Sequence, residues 1–353
     1  MFFAALLTVW LIYAVFIIRF VRKQLTVGLK NIINEDKEVA KKYDCFARKD
    51  IAQWNHLEMY FVAVFLFPFR LFTFLSSLSL CAILANIAMI GVNPEKKLSQ
   101  LRRGFIRSCV RATVRICLFA LGFYRIDQVT KDIASIDPTY KPDTKKERQP
   151  APIVVCNHIS WTDIFICSLF PEGPSFLAKS EVKKYPLFGT LATAIQTLFV
   201  ERESKAQRGD IVVRLKERAE TFQKDPSSVP PVLIYPEGTT SNGEYLISFK
   251  KGAFSNLTPL KLYGLKYTKK NFNPSLDTLG TLKSFFFIIL QFYNSVTLYD
   301  MGTYYPDQLN LKSEDDWEIY AKKVKEIMLK TLDVKSIELG YADRVEYEKT
   351  LGL

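Results

Sequence analysis

The sequence predicts an α/β fold: a central mixed sheet flanked by helices, with membrane-embedded helices at its N-terminus. Three observations predict it. From residue 152 onward, short apolar runs alternate with amphipathic helical segments, the pattern of a sheet covered by helices. Residues 1–18 are almost wholly apolar, and 59–92 form a second, interrupted apolar stretch. Between these stretches and the sheet lies a basic amphipathic segment, 96–118.

Composition is consistent with this reading. The 353 residues allow one large domain or two ordinary ones, and 48% are hydrophobic, with 27 Phe and 17 Tyr, enough for a large core or a membrane contact. A net charge of +12 suits an anionic partner, whether nucleic acid, an acidic membrane face or a phosphorylated substrate. The six cysteines form no C-x-x-C pair and no cluster with the two histidines. They read as reduced, mostly buried thiols, and no metal site is expected.

In chain order, residues 1–20 read as a transmembrane anchor, long enough to span a bilayer and flanked by Arg19, Arg22 and Lys23. A cleaved signal peptide is the competitor, but the basic n-region and the small-x-small cleavage site are missing. The basic flank places the residues after 19 on the cytosolic side. Residues 21–57 read as a cytosolic linker and 58–125 as a membrane hairpin plus a basic amphipathic helix. Pro68 and Arg70 interrupt the hairpin, and Arg70 must snorkel or face protein. Two full spans are the alternative. Arg103, Arg107, Arg111 and Arg115 recur every four residues, a stripe suited to an anionic leaflet; nucleic-acid binding is the weaker reading and no nucleic-acid partner is expected.

Residues 126–335 read as the α/β domain, with strands over 152–156, 175–178, 197–201, 231–235 and 258–266 and helices over 160–169, 185–195, 206–224 and 313–332. The apolar run 279–300 fits a core helix or a second membrane patch, with the core helix preferred, and 336–353 reads as a tail.

Candidate chemistry starts at Asn157-His158-Ile159-Ser160-Trp161-Thr162-Asp163, at the end of a β-rich run. Positions i and i+5 of one helix lie about 140° apart, so His158 must precede the helix and Asp163 open it. An Asp accepting from imidazole Nδ1–H leaves Nε2 as a general base. Taken alone, the same residues also fit a plain capping box from Ser160 to Asp163. Two further blocks stand downstream. Phe199-Val200-Glu201-Arg202 ends a strand in an Arg suited to bidentate phosphate contact. Tyr235-Pro236-Glu237-Gly238-Thr239-Thr240 ends a strand in a turn that can present backbone N–H groups and hydroxyls.

The three blocks in this order resemble the glycerolipid acyltransferase superfamily. The extension Ser241-Asn242-Gly243-Glu244-Tyr245-Leu246-Ile247-Ser248-Phe249-Lys250-Lys251-Gly252-Ala253-Phe254 is most similar to the lysophosphatidylcholine and lysophosphatidylethanolamine acyltransferase branch. The resemblance covers roughly residues 55–310. The family's Pro-rich fourth block is degenerate, Thr258-Pro259-Leu260-Lys261-Leu262-Tyr263 keeping one Pro, and no calcium-binding loop stands after residue 300.

The resemblance implies a membrane-bound, acyl-CoA-dependent lysophospholipid O-acyltransferase of phospholipid biosynthesis at the endoplasmic reticulum, with a cytosolic catalytic domain. It implies His158 as base, Asp163 as its partner, Arg202 with Lys179 on the acceptor phosphate, and Glu237, Gly238, Thr239 and Thr240 at the acceptor. Acyl-CoA is a substrate, and no cofactor is implied. Glycerol-3-phosphate or 1-acylglycerol-3-phosphate as acceptor, a lipid hydrolase and a non-catalytic scaffold are the competing readings.

Overall fold

The computed structural model describes residues 2–92, 98–141, 150–200, 205–268 and 271–353. The helices are α1 Phe2–Thr26, α2 Lys30–Ile33, α3 Lys37–Lys42, α4 His56–Phe65, α5 Phe67–Met89, α6 Gln100–Ala120, α7 Ile133–Ile136, α8 Asp163–Cys167, α9 Pro186–Ala194, α10 Lys205–Lys224, α11 Gly280–Ile289, α12 Trp317–Leu332 and α13 Tyr341–Thr350. The strands are β1 Ile126–Thr130, β2 Ile153–Val155, β3 Ser175–Lys179, β4 Leu198–Val200, β5 Val232–Ile234, β6 Tyr245–Leu246, β7 Leu260–Tyr267, β8 Val296–Tyr304 and β9 Lys335–Ser336.

Seven strands form one sheet in the order β1-β8-β7-β2-β5-β3-β4, and β6 pairs with β9 apart from it. The sheet is mixed, because only the β7–β8 pairing is antiparallel. Its centre is buried on both faces, so its strands are continuously apolar. Val154 and Leu233 point into a core shared with α1, α4, α5 and α6. Ile153, Val155, Val232 and Ile234 point into a second core with α12.

Two helical stretches, Phe3–Ile33 and Phe67–Met89, are long and apolar enough to cross a membrane. Only 17% and 28% of their most apolar windows is buried, so side chains such as Phe3, Ile12, Phe16, Phe69, Phe72 and Ile83 point outward. The break between α4 and α5 falls at Leu66, just before Pro68 in the first turn of α5, where a missing N–H costs nothing. Arg70 faces protein. Its guanidinium donates to the carbonyls of Ile289, Gln291 and Phe292 at 2.8, 2.5 and 3.0 Å, capping the end of α11. The apolar run 279–300 thus divides into the core helix α11 and the strand β8, which the sequence did not separate.

Three expectations need correction. The stretch read as a linker, 21–57, is folded onto the domain: Tyr43, Cys45, Phe46 and Ala47 form a core with Ile247, Tyr347 and Leu351. Fully buried Arg48 pairs with Asp50 and Asp277 at 2.9 Å each. The stretch read as a tail, 336–353, is the other half of that core and carries α13. The arginine stripe does not face outward along its length. Arg103, Arg107 and Arg111 are half-buried, and only Arg115 is exposed. Arg103 and Arg107 line a cavity of about 590 Å³ against the 171–174 and 226–231 loops, where Arg107 donates to the Pro171 carbonyl. A guanidinium fork satisfies loop carbonyls as readily as lipid phosphates, and the periodicity does not distinguish the two.

Candidate active site

The site forms where β2 and β5 end side by side. After Val155 the chain leaves the sheet, and Asn157 clamps it to β7, accepting from Leu265 N at 2.7 Å and donating to Leu265 O at 3.0 Å. His158 comes next, its backbone N–H donating to Glu237 Oε1 at 2.8 Å. The His158 ring stacks on Tyr235, centroids 4.0 Å apart and planes 9° from parallel. A loop residue thereby acquires the rigidity of the two strands beside it.

Asp163 opens α8 and has no exposed surface. Its Oδ2 accepts from Ile159 N at 2.7 Å, Ser160 N at 2.8 Å and His158 Nδ1 at 2.9 Å. Its Oδ1 accepts from the Tyr267 hydroxyl at 2.5 Å. Four donors converge on one buried carboxylate, as a desolvated anion requires. An acceptor-only carboxylate fixes Nδ1 as the protonated nitrogen, so the lone pair sits on Nε2. The bond from Ser160 N is half of a capping box, but Ser160 Oγ accepts from Thr162 N at 3.2 Å and the helix starts after Thr162, so the plain capping box is not completed.

Glu237 also has no exposed surface, and burial pushes its carboxyl up to about 8 despite two N–H donors. Its oxygens accept from His158 N and, at 3.2 Å, from Ile247 N. It braces two loops, the positioning role expected of it, and does not line the cavity itself. Gly238, at φ +70°, turns the chain in a conformation that glycine adopts freely. Its N–H donates to Tyr235 O at 3.1 Å and is used up in the turn.

A cavity of about 460 Å³ opens at His158. One end is polar, formed by His158, Tyr235, Gly238, Thr239, Thr240 and Arg344. The rest is mostly apolar, including Leu78, Val114, Phe165, Phe176 and Leu191 from α5, α6, α8, β3 and α9, with Ile195 just past α9. Of the residues picked out by sequence, His158, Asp163 and Gly238 to Thr240 meet here. Lys179 ends β3, and nothing is described of its side chain; Arg202 lies outside the described residues. Three partners were missed. Tyr267 sits one residue beyond the predicted strand and Tyr235 within a motif read only for its turn. Arg344 comes from the stretch read as a tail, where nothing local sets it apart from other surface arginines. Among the described residues, no group of three or more His, Cys, Asp or Glu side chains could hold a metal ion.

The comparisons point to one family. Residues 138–263 match the family model described as Acyltransferase. A lysophospholipid acyltransferase of Arabidopsis thaliana is 31% identical over 253 residues, covering 67% of this chain and 61% of that one. Lysophosphatidylcholine acyltransferase 1 of Mus musculus is 28% identical over 293 residues, covering 80% of this chain and 50% of that one. The chain thus spans about half to three fifths of the length of these curated relatives. The crystal structure of a 1-acyl-sn-glycerophosphate acyltransferase from Thermotoga maritima aligns with a TM-score of 0.45 at 18% identity, over 78% of this chain and 94% of that one, a likeness too distant to bear on the chemistry.

Proposed function

With residues 138–263 belonging to the acyltransferase family as the premise, we propose that the protein is a membrane-bound lysophospholipid O-acyltransferase that uses acyl-CoA as donor. The observation that carries the reading is the His158–Asp163 pair at the polar end of an otherwise apolar cavity. An apolar cavity suits a fatty acyl chain, and a base at its mouth suits a reaction at the carbonyl end of that chain.

His158 Nε2 takes the proton of the acceptor's free hydroxyl as the oxygen attacks the thioester carbonyl. Asp163 holds the ring and stabilises the imidazolium that forms. Thr239 lines the cavity, and its backbone N–H is the candidate oxyanion donor. The tetrahedral intermediate collapses with loss of CoA as thiolate, which the imidazolium reprotonates. The acyl group ends on the acceptor oxygen, and His158 returns to its neutral form. The mostly apolar wall of the cavity favours a lipid acceptor over water.

The outward-facing apolar side chains of α1 and α5 support insertion into a bilayer, and Arg19, Arg22 and Lys23 support a cytosolic catalytic domain. The endoplasmic reticulum is the membrane we assign on the resemblance to the relatives' branch. One assay tests the whole reading: purified protein, labelled oleoyl-CoA, and a panel of lysophospholipids that includes lysophosphatidate and glycerol-3-phosphate. Labelled diacyl phospholipid is expected from a lysophospholipid with a head group. Free fatty acid released from phospholipid without CoA would instead identify a hydrolase.

A further inference from the structure

Only one residue carrying a permanent positive charge lines the His158 cavity among the described residues: Arg344 of α13. It lies outside the matched family segment, 138–263. Its side chain is 13% exposed and aimed inward at the polar end of the cavity. Nη1 donates to Thr239 Oγ1 at 3.1 Å, to Thr240 O at 3.3 Å and to Thr240 Oγ1. Nη2 donates to Asp277 O at 2.8 Å, and Nε to Glu348 Oε1 at 2.8 Å. A guanidinium has five N–H groups, so one Nη2 hydrogen is left over. The Thr240 hydroxyl is committed to Leu276 O, whereas the Thr239 hydroxyl accepts from Arg344 and keeps its own hydrogen to donate.

The chemistry of a lysophospholipid constrains where its phosphate sits. The phosphodiester is separated from the carbon bearing the free hydroxyl by one carbon and an ester oxygen. With that hydroxyl at His158, the phosphate falls at the polar end of the cavity, beside Thr239, Thr240 and Arg344. We infer that Arg344, with the Thr239 hydroxyl, binds the phosphodiester of the acceptor; this inference rests on the function proposed above. Glu348 lies on the Nε side, 34% exposed, and fixes the guanidinium plane, while Nη1 faces the cavity-lining Thr239 and Thr240 and one Nη2 hydrogen stays uncommitted among the described residues. Charge-assisted donors on a rigid fork are the contacts that hold phosphate best. The acceptor site is thus completed from a helix far outside the three sequence blocks.

The test is a split of Michaelis constants in the full-length protein for wild type, Arg344→Ala and Arg344→Lys, with lysophosphatidylethanolamine as acceptor and oleoyl-CoA as donor. Arg344→Ala is expected to raise the acceptor KM by about tenfold or more while the oleoyl-CoA KM stays within about twofold. Arg344→Lys, which keeps the charge but not the fork, is expected to fall between. An unchanged acceptor KM, a fall in kcat alone, or a rise confined to the oleoyl-CoA KM overturns the inference. Should Arg344→Ala fail to fold, the same split in Arg344→Lys decides. A wild type that acylates no lysophospholipid sinks the functional reading and this inference together. A wild type that does so, with an unchanged acceptor KM in the variants, sinks only the inference.

Discussion

The two ends of the sheet both gather charge, buried at one and half-buried at the other, and they differ in how that charge is held. At the C-terminal ends of β2 and β5, Asp163 receives four hydrogen bonds, one of them from His158. At the N-terminal ends of β2, β3 and β5, the larger cavity collects Arg103 and Arg107, and Arg218 lies close by. There burial, and then the charge of Arg103, pull the Arg218 guanidinium down to about 10. Cavity size and charge alone would favour the second end. Organisation favours the first: one ionisable group orients another, and an apolar chamber adjoins them. Ligand sites of open α/β sheets lie outside the carboxyl ends of the strands, which agrees.

The strongest way to break this contrast is to remove the base. His158→Ala is expected to lower acyl transfer by about a hundredfold or more, with membrane association and thermal midpoint retained. Asp163→Asn is expected to approach that loss, because the amide cannot balance an imidazolium. The exposed His56, changed to Ala, is the matched control and is expected to be silent. Near-normal turnover in His158→Ala would remove the distinction between the two ends.

Next in size is Tyr267→Phe. It deletes the hydroxyl on Asp163 Oδ1 and leaves the ring in place. A loss of about tenfold in kcat is expected, with both KM values kept; an unchanged kcat would show that the fourth donor is dispensable.

Glu237 sharpens the contrast through stability. Its folded value of about 8 lies above its ordinary 4.5, so folding favours the protonated form. Its contribution is fully present below about pH 4.5, falls as pH rises towards about 8 and is lost above. Glu237→Gln removes that titration, so the fall in melting midpoint between about pH 6 and about pH 9 is expected to flatten. The variant is also expected to be less stable at about pH 6 by about 1–3 kcal/mol, since an amide nitrogen then faces one of two N–H donors. A slope as steep as wild type would place the titrating group elsewhere. The smallest effect is expected from Arg107→Ala at the other end of the sheet: turnover within about twofold and stability within about 1 kcal/mol. A large loss of activity there would make that cavity part of the site.

Much of this architecture was legible because its determinants are local. β2, β3, β4, β5 and β7 are largely apolar runs bounded by turn residues, and His158 and Asp163 were read from their spacing together with the two downstream blocks. β1 was missed because it is a polar, half-exposed edge strand, Ile126–Thr130, with little apolar signal. β8 was missed because it comes after α11 with no break in hydrophobicity. Arg344, Arg48 and the 21–57 stretch were illegible for a different reason. Their roles are defined by partners far along the chain, as in Arg48 with Asp277, and a handful of buried residues in a charged segment leaves no periodic trace.

The clamp on the Gly238–Thr240 turn also bears on how the protein is made. Arg344 lies 104 residues downstream of Thr240. A ribosome therefore releases the turn, with His158 already beside it, well before the residue that secures it has been synthesised. Arg48, 229 residues ahead of Asp277, waits still longer for its counterion. Contacts that distant close late and slowly. α1 and α5 are both synthesised before either contact can close. The activity proposed above therefore depends on contacts that close only after most of the chain has been synthesised.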